Sequence, residues 1–355
     1  MRVPVLGLVA LMVAGCGGTS PLAGADESFQ VGAIVTQTGV NAVLGDDMET
    51  AMRLYLDDHR GLLGGRPARL VVADDAGSEE TGREQARKLI DGGADVLTGL
   101  LSAPVAAAVV REAAGTPVVL ADAGTDGLAA FRTSYTNHAQ GYAAGRYAAE
   151  HYPGRDVVLM APDRPEGAET LDGFTDGYGS KPVERVLTPP GPEPYLGGIN
   201  GRAGLVFACY AGGEAVAFVR AYRRGGIGVP LLGGQGLGDE DVLRAVGRDA
   251  EGLVSVGVYA AALDNAANVA FVARWRAATG RDPSAVALQG WDTMRFVDRA
   301  VAAGGDLTRA LAAVRELDGP RGTFRWDAER NPVQNWYARE YRNGVNRIIA
   351  TIPPS

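Results

Sequence analysis

The side chains that most often carry chemistry are few and scattered in this sequence. His59, His138 and His151, together with Cys16 and Cys209, show no spacing that folds into a zinc site, so no metal centre is expected. There is no G-x-S-x-G elbow, no Walker-type phosphate loop and no G-x-G-x-x-G after a strand. Gly233-Gly234-Gln235-Gly236-Leu237-Gly238 has its glycines at the wrong spacing. Nucleophilic catalysis and nucleotide binding therefore have no motif, and no cofactor or catalytic residue is expected. Asp46-Asp47 and Asp74-Asp75 are paired acids, but they fall at a helix start and a strand end, where carboxylates commonly cap or face water. What remains is binding chemistry. Ser102 stands at the start of a helical pattern with Pro104 in its first turn, so free backbone N–H groups lie beside a hydroxyl, an arrangement that favours a carboxylate. Ala123-Gly124-Thr125, at the next strand end, offers a flexible glycine and a second hydroxyl to the same anion. Capping and turn formation account for Ser102 and Thr125 equally well.

The elements that must hold these groups alternate regularly. Short β-branched runs predict strands over 30–36, 69–73, 96–101 and 117–121. Between them lie helical patterns on which Met48, Met52, Tyr55, Leu56 and His59 share a face, then 79–91, then 103–114. A second set follows: a helix over 140–152, strands over 157–160, 183–187, 205–210, 230–232 and 253–259, and helices carrying Leu171, Phe174 and Tyr178, then Ala215, Phe218, Val219 and Tyr222, then 242–246. Helices over 265–279, 284–303 and 307–317 and a tail of antiparallel strands complete the chain. The fold class read from this is α/β, with two open parallel-sheet lobes. Ligands of such sheets sit outside the carboxyl ends of the strands, here in a cleft between the lobes. The expected division is 29–136 plus 262–320 for lobe I and 137–261 plus 321–355 for lobe II.

Composition agrees with a globular body. The 355 residues carry 46% hydrophobic and 21% charged side chains, and the net charge of −8 gives no attraction for nucleic acid. Cys209 lies in an apolar strand-like run and reads as a small core residue. Cys16 differs: it follows Arg2 and an apolar stretch over 3–13, too short to span a bilayer but of the length of a secretory core. Val13-Ala14-Gly15-Cys16 resembles the lipobox of a bacterial lipoprotein. That resemblance implies a signal peptide over 1–15, a lipidated Cys16, and a polar tether over 16–28 with a reach of about 20 Å.

Over residues 29 to about 345 the chain resembles the solute-binding proteins of ABC importers, specifically the leucine/isoleucine/valine-binding group with the type I periplasmic-binding fold. The resemblance is carried by Thr38-Gly39 and Gly45-Asp46, Gly64-Gly65-Arg66-Pro67, Leu70 to Asp75, Gly99-Leu100-Leu101-Ser102, Phe131-Arg132-Thr133-Ser134, Ala221 to Gly226, and Gly319-Pro320 to Phe324. Together with the lipobox it implies a lipid-anchored, extracytoplasmic monomer on the bacterial cell membrane. Such a protein closes around an amino acid or related small polar or aromatic solute and delivers it to an ABC permease and its ATPase, without catalysis. A sensor of the same fold signalling to a separate membrane partner is the alternative.

By the same resemblance the carboxylate loop falls on Leu101, Ser102 and Ala103, and the second loop on Gly124 and Thr125. Glu166 replaces a hinge-side aromatic, whereas Tyr210 keeps one. Gln235 stands where the family places the acid that pairs a ligand ammonium. A neutral amide cannot supply that charge. Either Glu166 supplies it or the ligand lacks an α-ammonium. Trp291 and Asp292 are further candidates for the cleft.

Overall fold

The computed structural model describes residues 28–39, 41–189 and 196–354. The signal peptide, Cys16 and the tether up to residue 27 expected from the sequence lie outside them. The first stretch runs β1 (Phe29–Val35), α1 (Ala42–Asp58), β2 (Leu62–Leu63), β3 (Arg66–Asp74), α2 (Glu79–Asp91), β4 (Val96–Gly99), α3 (Ala103–Glu112), β5 (Val119–Leu120) and β6 (Phe131–Arg132). All of β1 is buried because it lies between β3 and β4, parallel to both, with Gly32 opposite Val71 on one side and Leu97 on the other. A parallel strand covered by helices on both faces has no solvent side, which is why its sequence is a nearly unbroken apolar run. From β4 the ladder continues through Leu97 and Val118 to β5, and β5 pairs with β6.

The chain then crosses to a second sheet through α4 (Asn137–His151), β7 (Val157–Pro162), α5 (Pro165–Tyr178), β8 (Glu184–Thr188), β9 (Leu205–Ala208), α6 (Gly212–Arg224), β10 (Leu231–Gly233), α7 (Glu240–Val246) and β11 (Val254–Gly257). It returns for α8 (Ala266–Thr279), α9 (Ala285–Ala303), α10 (Leu307–Ala313), β12 (Glu316–Gly319), β13 (Gly322–Trp326) and β14 (Pro332–Val333). A last crossing leads to β15 (Trp336–Arg342) and β16 (Val345–Ile352). The second sheet has the order β16-β15-β11-β10-β9-β7-β8, parallel from β11 to β8 and edged by the antiparallel pair β15 and β16. Both sheets are thus open α/β layers, the second mixed by its antiparallel edge.

Two expectations need correction. The helical pattern over 307–317 stops at Ala313, and Leu317 lies on β12; a single apolar residue fits either period. The division at 320/321 separates strands that the sheet joins. β13 pairs with β12 through Leu317 opposite Phe324, closed by the turn Gly319-Pro320-Arg321-Gly322, so the chain enters the second sheet only at β15.

Backbone contacts fix how the second lobe packs. α4 and α5 meet at Gly141, against the carbonyl of Thr170, and at Gly173, against that of His138, and a Cβ at either position would collide with backbone. Buried arginines tie the crossings together. Arg321 donates to the carbonyls of Thr133 and Ser134 and pairs with Asp292 at 2.9 Å, while Arg339 donates to Tyr259 O at 2.5 Å and Gln235 O at 3.2 Å. Trp326 Nε1 donates to Arg132 O at 2.6 Å.

Candidate functional site

The carboxyl ends of β4, β5, β7, β9 and β10 converge on a cavity of about 610 Å³ between the lobes. Its first wall is the turn from β4 into α3. Leu100 N–H donates to Ile34 O at 2.7 Å, and both Gly99 (φ +93°) and Leu100 (φ +65°) adopt left-handed backbone to redirect the chain. A Cβ on Gly99 would overlap that Ile34 carbonyl, so glycine is required there. The turn delivers Leu101, Ser102, Ala103 and Pro104 to the cavity. Ser102 occupies the N-cap position of α3 in extended conformation, yet its side chain makes no capping bond, which leaves the hydroxyl beside the first-turn N–H groups.

The second wall is the end of β5. Ala121 and Ala123 N–H groups donate to Gly99 and Leu100 carbonyls at 3.1 and 2.9 Å, which holds the segment against the end of β4. Asp122 and Gly124 line the cavity. Thr125, expected at the ligand, is not in its wall: its hydroxyl donates to Glu169 Oε1 at 3.3 Å and its carbonyl accepts from Arg132. The register is displaced from the one expected, because a two-residue strand gives no alternation to fix which residues face inward. Burial pushes the Asp122 carboxyl up to about 7, with the Gln289 amide acting in the opposite sense.

Tyr135 enters from the first crossing, its ring edge-on to Trp336 at 5.4 Å. Burial, with Asp122 nearby, holds its phenol well above the usual range. From the second lobe come Glu166, Cys209, Tyr210 and Gln235. Glu166 sits in the first turn of α5, and its Oε2 is buried without a partner. Tyr210 serves two purposes: it edges the cavity, but its ring also stacks on Phe218 at 4.7 Å in the core, and its hydroxyl meets Thr188 Oγ1 at 3.1 Å. Burial raises its phenol to about 12 and the Cys209 thiol to about 11, so both stay neutral at ordinary pH.

Gln235 is fixed by the fold. Its Oε1 accepts from Val258 N–H at 2.8 Å and its own N–H donates to Gln140 Oε1 at 3.3 Å, while its Nε2 is buried and unpartnered. Gln140 also donates to Cys209 Sγ at 3.1 Å, so one amide joins two strand ends.

Charge in the cavity is one-sided. Among the described residues lining it, Arg164 is the single basic side chain, and Glu214 holds it at 2.5 Å. Asp239 is tied to the Ala285 N–H at 3.0 Å, and burial, reinforced by Asp241, raises its carboxyl to about 8. Arg281 pairs with Asp47 of α1 and, at 3.3 Å, with Asp241 of α7, and so links the two lobes at the cavity edge.

Seven of the eight ligand-site expectations, all but Thr125, therefore converge on one cavity. Asp122, Tyr135, Gln140 and the Arg164–Glu214 pair were not anticipated. Only Asp122 had a signal, as the residue before the expected strand-end loop. Trp291 and Asp292 do not reach the cavity. The tryptophan packs on Tyr55 and Phe271 at 5.1 and 5.2 Å, and Asp292 is spent on Arg321. The other paired acids are structural: Asp75 accepts from Thr36 Oγ1 at 2.7 Å, and Asp47 accepts from Ser284 Oγ at 2.7 Å.

Comparison with known proteins places this geometry. The family model described as periplasmic binding protein matches residues 28–345. A Leu/Ile/Val-binding protein homolog 6 of Brucella melitensis is 25% identical over 342 residues, covering 88% of this chain and 87% of that protein. An ABC-transporter solute-binding protein of R. palustris, solved in complex with benzoate, is 32% identical at a TM-score of 0.85, covering 92% of this chain and 97% of that one. Another, from Rhodopseudomonas palustris BisB5 with 3,4-dihydroxybenzoic acid, is 27% identical at 0.84, covering 92% and 98%. With its two open α/β lobes and the cleft between them, the chain belongs to the periplasmic binding protein family, as a non-enzymatic type I solute-binding protein of the ABC-transporter kind related to the leucine/isoleucine/valine-binding group.

Proposed function

We propose that this protein captures an aromatic carboxylate of the benzoate class by closure of its lobes and hands it to a membrane permease driven by a partner ATPase, while Cys16 anchors the body outside the bacterial cell membrane. The observation that carries the reading is Gln235. An amino-acid binder needs an acid against the ligand ammonium, and here that place holds an amide whose oxygen is already used by Val258 N–H. The carboxylate end is retained, because the uncapped Ser102 hydroxyl and the start of α3 face the same cavity as the rings of Tyr135 and Tyr210. The benzoate and dihydroxybenzoate complexes of the R. palustris relatives support this ligand class.

A second reading rests on one atom. Glu166 Oε2, buried at the cavity and unpartnered, would pair the ammonium of an amino acid approaching from the other wall. Titration calorimetry of the body from Gly17 to Ser355 with benzoate, 4-hydroxybenzoate, benzamide and leucine separates the two. Saturable binding of the benzoates but not of leucine is expected; leucine binding with no benzoate binding would transfer the role to Glu166.

A further inference from the structure

Asp122 poses a problem for any anionic ligand. Its backbone follows β5 between Ala121 and Ala123, whose N–H groups bond to the Gly99 and Leu100 carbonyls at the end of β4, and it lines the cavity together with Leu101 and Ser102. A carboxylate bound at the start of α3 would therefore have an acid as its neighbour. The surrounding elements do not neutralise that acid. α9 presents the Gln289 amide and the first crossing presents Tyr135, both uncharged. The second lobe faces it with Glu166, Cys209, Asp239 and Asp241, and with Arg164, which Glu214 already holds. Among the described residues no cation pairs with Asp122.

Resting on the aromatic-carboxylate reading above, we propose that Asp122 is a specificity-determining residue that takes part in its protonated form: its carboxyl O–H donates to the bound carboxylate, so that the anion is captured together with a proton. The proton stays on Asp122; above the titration range of the empty cleft it is drawn from solvent as the anion enters. Two ionised carboxylates side by side repel each other, whereas an acid and a carboxylate form a strong, charge-assisted hydrogen bond. Geometry supplies the adjacency, and the raised carboxyl, at about 7, means that protonation costs little near neutrality. The same arrangement would disfavour a neutral amide in place of the carboxylate, which gives the acid-bound state no charge to bond.

The test is benzoate affinity as a function of pH, measured by calorimetry on the body from Gly17. The dissociation constant should stay level below about pH 6 and rise towards tenfold per unit above about 7, roughly 50-fold between pH 7 and 9. At pH 8, titrations in buffers of different ionisation enthalpy should show uptake of about one proton per benzoate. Asp122→Asn should flatten the profile and abolish the uptake, whatever its absolute affinity. A wild-type affinity constant within threefold from pH 6 to 9 without proton uptake would overturn the proposal while leaving the ligand class intact. Persistence of the slope in D122N would also overturn it, and would assign the proton to Asp239. Absence of benzoate binding at every pH would instead defeat the ligand class on which the proposal stands.

Discussion

Replacing Gln235 by glutamate changes one atom and one charge, and it tests what that position does. The carboxylate can keep the Val258 N–H bond at 2.8 Å, and its second oxygen takes the place of Nε2, which has no partner to lose. Arg339, buried and bonded to the Gln235 carbonyl at 3.2 Å, stands near enough to help hold the new charge. The effect on the ligand is then mainly electrostatic. For charges about 8 Å apart and an effective dielectric constant near 20, like charges repel by about 2 kcal/mol, which would weaken a bound carboxylate roughly 30-fold. The same charge favours an ammonium by a comparable amount, so Q235E should lose benzoate affinity and gain leucine affinity. Calorimetry at pH 7.5 on both ligands reads this directly, with Gln235→Met as the uncharged control. Benzoate affinity unchanged within threefold, with no gain for leucine, would refute the view that residue 235 sets the charge of the ligand.

Other consequences follow from single contacts. Ser102→Ala removes a hydroxyl that does not cap α3, so the melting temperature should hardly move while benzoate affinity falls about fivefold, or about 1 kcal/mol. A fall in stability with unchanged affinity would make Ser102 structural. Tyr210→Phe should cost about 1 kcal/mol of stability through the lost Thr188 contact, and Tyr210→Ala about 3–5 kcal/mol because the ring is half core. Equal stabilities in urea for the two variants would contradict that placement. Burial raises the carboxyls of Asp122, Glu240 and Asp239 to about 7, 7 and 8. The folded state keeps protons there that the unfolded chain releases near pH 4, so stability of the empty body should fall as pH rises from about 4 to about 8. A melting temperature that climbs across that range would reverse the sign and the argument.

Much of this molecule was legible before the fold was in view, for identifiable reasons. β1 reads as a buried parallel strand because both its faces are covered. The start of α3 reads as an anion site because Ser102 and Pro104 mark a helix start with free first-turn N–H groups; that the Ser102 side chain does not cap them emerges only in the structure. Gln235 stands out because an amide and an acid differ by a whole charge. What was hidden depended on register or on long-range assembly. β5 has only two residues, too few to show by alternation that Asp122 and not Thr125 faces inward. Arg281 and Asp47 meet across 234 positions, and no local pattern couples them. Trp291, in the expected helix over 284–303, was a candidate for the cleft, yet Tyr55 and Phe271 enclose it.

On the function proposed above, an aromatic carboxylate lies in this cleft with its acid end at α3. A crystal structure of the body grown with benzoate tests it most directly. The carboxylate should lie within hydrogen-bonding distance of Ser102 Oγ, the first-turn N–H groups of α3 and Asp122, with the ring between Tyr135 and Tyr210. A carboxylate bound instead at Arg164, or a cleft that stays empty at saturating benzoate, would contradict it.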